Sequence, residues 1–212
     1  MKCFKQMSMF MLMLLCSMTS LAYDFEVDGI YYNIIDLDSK TVEVTHNGKN
    51  KKTFTINVGS YLSSKLVDFT YYADTYVGEI FIPKKVSYRG REFTVTAIGE
   101  AAILHQGKLT KISIPSSIQW IAIPRNSGGW KVGAFFGCDF QTVQAGNSVC
   151  LNALTVGSEY GNDDYGNPKT KIKELYLSSD FADSITTDFS SWSSLNPQIR
   201  NRPHKMTQRS KR

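Results

Sequence analysis

Leu109-Thr-Lys-Ile-Ser-Ile-Pro-Ser-Ser-Ile118 is the stretch on which the fold turns. Its branched residues Ile112 and Ile114 stand two apart, the spacing that places side chains on one face of a strand. Proline follows at once, and because proline cannot donate to a continuing ladder, the strand stops there. The phrase occurs earlier as Glu79-Ile-Phe-Ile-Pro83, and later versions read Ala153-Leu-Thr-Val156 and Glu174-Leu-Tyr-Leu177. Leu154 and Leu175 lie 21 residues apart, Ile80 and Ile112 lie 32 apart, and Ile112 and Leu154 lie 42 apart. The short interval matches a ladder-type repeat of ~20–29 residues, and the longer ones read as the same unit carrying insertions. The strands are predicted to stack with Ile80, Ile82, Ile112, Ile114, Leu154, Val156, Leu175 and Leu177 pointing inward in register. The expected architecture is a short, mainly β solenoid over residues 79–199 rather than a β-sandwich.

Between the strands a second phrase recurs. Ala97-Ile-Gly-Glu-Ala-Ala-Ile103 follows the first strand and Lys131-Val-Gly-Ala-Phe-Phe-Gly-Cys138 the second. Gly99 and Gly133 permit a tight bend, and Ala102-Ile103 and Ala134-Phe135 each supply a small and a large side chain for packing. Upstream, Phe25, Val27, the run Ile30 to Ile35, Val42 and Val44 alternate or cluster as short strands. Asp28-Gly29 and Asp36-Leu-Asp-Ser39 are turn chemistry, so residues 23–78 read as an N-terminal β-hairpin or meander cap. Asn47-Gly48 is another turn, after which Phe54, Ile56 and Val58 alternate again. Tyr61 to Val67 fits a helical turn or a strand.

Taken together, Ile-Pro, a few polar residues, a branched residue, and then Ile-Gly-x-x-Ala-Phe-x-x-Cys resemble the BspA-like leucine-rich repeat of exported bacterial surface proteins. Leu109 to Ile118 carries the first half of that pattern. Ile98-Gly-Glu-Ala-Ala-Ile103 carries the second, with Ile103 in the Phe position and Gln106 in the Cys position. Ala134-Phe-Phe-Gly-Cys138 carries its end, while Val132-Gly133 lacks two residues before it. Tyr23 to Tyr32 also resembles the β segment that precedes such arrays, so the match covers residues 23–44 and 79–138. The resemblance implies a non-catalytic role in adhesion at the cell surface or in secreted form, with a host or matrix protein as partner. It also implies that Cys138 is a core residue rather than half of a disulfide with Cys150.

The chain has 212 residues, 42% of them apolar, which is enough for one ordinary domain and its core. Its formal charge of +5 comes from the ends: two lysines before residue 22 and six cations from Arg200 onward, with no acid at either end. Residues 23–199 therefore carry a net −3, and the charge is no nucleic-acid footprint. Residues 1–22 read as an export signal: basic Lys2 and Lys5, an apolar core from Met9 to Leu15, and Ser20-Leu-Ala22 as a cleavage site. Export to the cell surface, the periplasm or the medium follows. A lipoprotein anchor on Cys16 is disfavoured because Leu15 before it is not small. No apolar run is long enough to span a bilayer. Residues 200–212 hold one sizeable apolar side chain, Met206, and are expected to form a disordered basic tail.

No motif for catalysis, metal or cofactor is legible. His46, His105 and His204 have no ligand at metal spacing, and no phosphate loop, nucleophile elbow or dinucleotide fingerprint occurs. Asn162-Asp163-Asp164 with Asn167 lacks the bidentate glutamate of a calcium loop and reads as a solvated turn. The chain is thus expected to be a binding module for a protein or a glycan, not an enzyme. Its alternatives are a structural or truncated repeat remnant and a carbohydrate-active or carbohydrate-binding domain. Three tryptophans, Trp120, Trp130 and Trp192, could stack on sugars or simply pack. Partner-binding residues are expected in the insertion from Gln119 to Lys131, where Trp120, Arg125 and Trp130 are types enriched at binding hot spots.

Overall fold

Alternation carries residues 25–45 into a three-stranded meander, β1 (Phe25–Val27), β2 (Ile30–Asp36) and β3 (Thr41–Thr45). Asp28 and Gly29 join the first pair at φ 51° and 77°, the left-handed geometry of a tight hairpin turn. The computed structural model describes residues 22–60, 63–129, 131–159, 172, 174–178 and 198–200. The export signal before residue 22, Trp130, the Asn162–Asn167 turn, Trp192 and the tail beyond Arg200 lie outside them.

Three further strands complete this first sheet. β7 (Lys85–Tyr88) and β8 (Arg91–Ile98) form a hairpin, and β8 runs parallel to β3, pairing Val42 with Val95 and Val44 with Ile98. The two-residue strand β10 (Trp120–Ile121) lies parallel to the end of β8 on the edge that β7 also uses. The sheet thus joins residues from both sides of position 78.

The second sheet is wholly parallel, in the order β13, β12, β11, β9, β6. Its members are β6 (Gly78–Phe81), β9 (Leu109–Ile114), β11 (Thr142–Ala145), β12 (Glu174–Leu177) and β13 (Gln198–Arg200). Ile80, Ile112, Val143 and Leu175 stand level across it, and Ile114, Ala145 and Leu177 form a second level. Ile82, Ile112, Ile114, Val143, Ala145, Leu175 and Leu177 are all at most 1% exposed, so these levels are core. They share one apolar cluster with Phe25, Val42, Val44, Val95 and Ile98 of the first sheet. The chain leaves β6 through β7 and β8, leaves β9 through β10, and leaves β11 through the helix α1 (Ser148–Glu159).

One expected strand is elsewhere. Ala153-Leu-Thr-Val156 is helical, and its place in the sheet is taken by Thr142-Val-Gln-Ala145. Asn147 decides this. Its Oδ1 accepts from Cys150 N at 3.1 Å, capping α1, while its Nδ2 donates to Ser116 O and Ile118 O at 3.0 and 2.7 Å. Cys150, Leu151 and Leu154 then fall on one helical face and are buried. Gly146 precedes them beneath the Ile114-Pro115 turn, where a Cβ would collide with the main chain of Pro115 and Ser116.

The second recurring phrase stacks upon itself. Gly99 O accepts from Ala102 N and Gly133 O from Phe136 N, and His105 N of the first copy donates to Phe136 O of the second at 2.8 Å. Cys138 Sγ donates to Ile103 O at 2.8 Å, and Cys138 and Cys150 are both free, buried thiols. Where the first copy has Gln106, the side chain serves three main-chain groups. Its Nε2 donates to Tyr72 O and Leu104 O, and its Oε1 accepts from Tyr76 N.

The remaining strands, β4 (Lys51–Ser60) and β5 (Ser63–Tyr72), form a separate antiparallel ribbon, resolving the ambiguity in favour of a strand over residues 63–67. A lone two-stranded ribbon is marginal in water. This one is held because Val67 and Phe69 pack with Leu104 and Val132, and Phe54 stacks on Phe136 at 5.3 Å.

Ile114→Ala is expected to cost ~2–5 kcal/mol in a denaturant titration; a loss below ~0.5 kcal/mol, the range of surface changes, would contradict the packing described. Gln106→Leu should cost at least ~2 kcal/mol, because it strands two buried main-chain groups, Tyr76 N and Leu104 O, at ~1–3 kcal/mol each.

Candidate functional site

The two faces of the ribbon differ in chemistry. Phe54, Ile56, Val67 and Phe69 occupy the face against the body, whereas Thr53, Thr55, Asp68, Thr70 and Tyr72 fall on the other by the period of two. That second face forms one wall of a groove of about 640 Å³. Glu100, Ala101 and the loop Pro124-Arg-Asn-Ser127 supply the rest of the lining, with His46 beside Tyr72.

The loop is itself shaped by side chains. Asn126 accepts at Oδ1 from Gly128 N at 3.0 Å, Gly129 N donates to Asn126 O, and Gly129 takes φ 80°. Arg125 pairs with Lys131 across this turn, and Arg125 N donates to Glu100 Oε1 at 2.9 Å, tethering the loop over the Gly99 bend. Opposite it, Thr55 Oγ1 donates to Asp68 Oδ1 at 2.6 Å, which fixes that carboxylate.

His46 and Tyr72 stack at 3.6 Å with 19° between planes. Gly48 N donates to His46 Nδ1 at 3.1 Å, so Nδ1 is unprotonated and the ring's remaining hydrogen sits on Nε2. Burial holds the imidazole pKa below its ordinary value of 6.5, so the ring is neutral at pH 7. The groove thus gathers one guanidinium, two carboxylates, two threonine hydroxyls, a carboxamide and a neutral aromatic pair. Only Ala101 and Pro124 contribute aliphatic surface.

The expected binding residues are placed differently from one another. Arg125 lies in the groove. Trp120 does not line it; it stands on β10, 46% exposed, beside Ile121, which packs inward. The insertion therefore begins as an edge strand and becomes a loop only after Ile121. Trp130 lies outside the described residues. His46, Asp68 and Tyr72 carried no motif of their own, and their shared address depends on the ribbon register.

Among the described residues no three His, Cys, Asp or Glu side chains converge as metal ligands, and no helix is long and apolar enough to cross a membrane. Burial pushes the Cys138 thiol up to about 12 and raises Cys150, so neither is a thiolate at neutral pH.

No family model and no curated protein matches the chain. The chain is similar, at 21% identity and a TM-score of 0.33, to the crystal structure of a leucine-rich repeat protein from Bacteroides ovatus. The match covers 75% of this chain and 48% of that one, so the chain spans about half the length of that protein.

The His46 shift makes a pH prediction. The unfolded chain takes up a proton near pH 6.5, before the folded chain does, so the stability this site holds above pH 6.5 declines as pH falls below it. Melting between pH 7.5 and 5.5 should therefore fall more steeply for the native chain than for His46→Gln. Parallel curves would mean that the ring is not held neutral.

Proposed function

We propose that this chain is an exported, non-catalytic interaction module, built as a short BspA-like leucine-rich-repeat solenoid with an N-terminal β cap. The level rows of the parallel sheet support the repeat reading, because the chain crosses to the opposite side of one core after β6, β9 and β11 in turn. Repeats are scaffolds, however, and what they bind is set by their surface. The single observation that carries the functional reading is the groove between the ribbon and the Pro124–Ser127 loop.

Its composition favours binding over chemistry. Catalysis needs a nucleophile or a proton donor tuned toward the working pH, positioned beside a second group. Here the histidine is tuned away from protonation and spends Nδ1 on Gly48, and Asp68 is tied to Thr55. What remains is a fixed array of donors and acceptors against two flat rings, which suits recognition of a protein or glycan. A second function, as a remnant of a longer array, has no surface feature that favours it.

The test is a paired screen of the full chain and Arg125→Ala against a panel of extracellular matrix proteins and a glycan array. We expect at least one partner to be retained, with affinity reduced at least ~10-fold in the variant, the loss typical of a hot-spot arginine. A partner bound equally well by both would place the contact surface elsewhere, and no binding on either panel would overturn the reading.

A further inference from the structure

We infer that the partner held in this groove is a neutral oligosaccharide. The inference rests on the reading of the groove as the contact surface and asks which chemistry fits it. A protein anchor wants an apolar socket in which an aromatic or aliphatic side chain is fully desolvated. The groove has none, since its aliphatic surface is Ala101 and Pro124. It offers hydroxyls from Thr53 and Thr70, carboxylates from Asp68 and Glu100, and the flat pair His46 and Tyr72.

That set matches a pyranose ring. A sugar has a patch of C–H groups on one face and a rim of hydroxyls, each both donor and acceptor. The C–H face gains by leaving water against an aromatic ring, and the rim needs partners of both kinds at fixed positions. Carboxylates are strong acceptors for hydroxyl donors. Asp68 is already aimed by Thr55, and Glu100 by the main chain of Arg125, so ordering them costs the complex little. Neutral His46 presents an Nε2–H donor without adding charge.

The charge balance selects among sugars. Within the lining two carboxylates outnumber one guanidinium, and the nearest other cations, Lys51 opposite Tyr72 and Lys131 opposite Arg125, stand outside it, so the lining itself offers an anionic sugar no excess of positive charge. A basic peptide is the competing ligand, because it would pair with Asp68 and Glu100. Its attraction would be electrostatic and would weaken as salt screens it. The volume of about 640 Å³ lies within the roughly 300–1,000 Å³ of pockets that enclose drug-sized ligands, the size class of a short oligosaccharide.

The experiment is calorimetric titration of the full chain with neutral oligosaccharides chosen from a glycan array, with acidic glycans and a lysine-rich peptide as parallel arms. Each arm is run at 50 and 500 mM salt, and the variants are Tyr72→Ala and Thr70→Val. We expect a neutral glycan to bind with affinity that salt changes less than twofold. Tyr72→Ala should weaken it at least tenfold and Thr70→Val severalfold. Circular dichroism checks that each variant is folded; if Tyr72→Ala is not, Thr70→Val alone decides. Binding confined to acidic glycans, to the peptide or to a matrix protein overturns the inference, as does a neutral glycan indifferent to Thr70→Val. A matrix protein that is lost with Arg125→Ala leaves the groove reading intact while the sugar is rejected; binding in no arm removes both.

Discussion

The carboxamide of Gln106 is the contact on which the arrangement of the whole chain depends. It is 1% exposed, and its hydrogen bonds go to three places that would otherwise be unrelated. Tyr72 O is the last carbonyl of the ribbon, Tyr76 N begins the approach to the parallel sheet, and Leu104 O belongs to the bend before it. Tyr76 N and Leu104 O would be buried orphans without this side chain, while Tyr72 O would keep Thr75 Oγ1 as a donor, and an orphan costs far more than an ordinary hydrogen bond gains. Tyr76 extends the link: its hydroxyl donates to Thr45 O and accepts from Tyr31 N, pinning the meander to the same point. Because Tyr72 is anchored by its carbonyl, its ring is presented to His46 and the groove from a fixed base.

Around that point the fold solves one burial problem twice. Each level of the parallel sheet has an inner face that only another layer can cover, and β8, β10 and α1 take that task in turn. The outer face carries what water tolerates, such as the 3.0 Å pair of Lys111 with Glu79 on the neighbouring strand. Exposed pairs of this kind add little stability. The ribbon is covered on one face by Leu104, Val132 and Phe136, and its polar face is therefore left to shape the groove.

The groove draws on four stretches of chain: the turn after β3, the ribbon, the Gly99 bend and the insertion after β10. Two of them are tied by main-chain N–H groups donating to side chains, Gly48 N to His46 Nδ1 and Arg125 N to Glu100 Oε1, and the ribbon by its docked apolar face. A wall so fixed can recognise a ligand at low ordering cost. That preorganisation is why recognition is the function proposed.

The sequence by itself determined the strands around Ile112 and Ile114, their arrest at proline and the meander before Val44. These follow from period-two alternation, turn residues and proline, all of which act over a few neighbours. It did not determine the third strand of the parallel sheet, β11. Ala153-Leu-Thr-Val156 alternates like a strand, but Asn147 caps a helix there only because Ser116 and Ile118, some thirty residues away, hold its amide in place. Nor could it assemble the groove. Arg125 was legible as a residue type, but Asp68, Tyr72 and His46 meet it only through the register of the ribbon and the docking of its apolar face. That register comes from ten cross-strand pairs, and the docking from Phe54 against Phe136. Tertiary structure decided the site because contacts distant in sequence chose which face of each strand would be left for water.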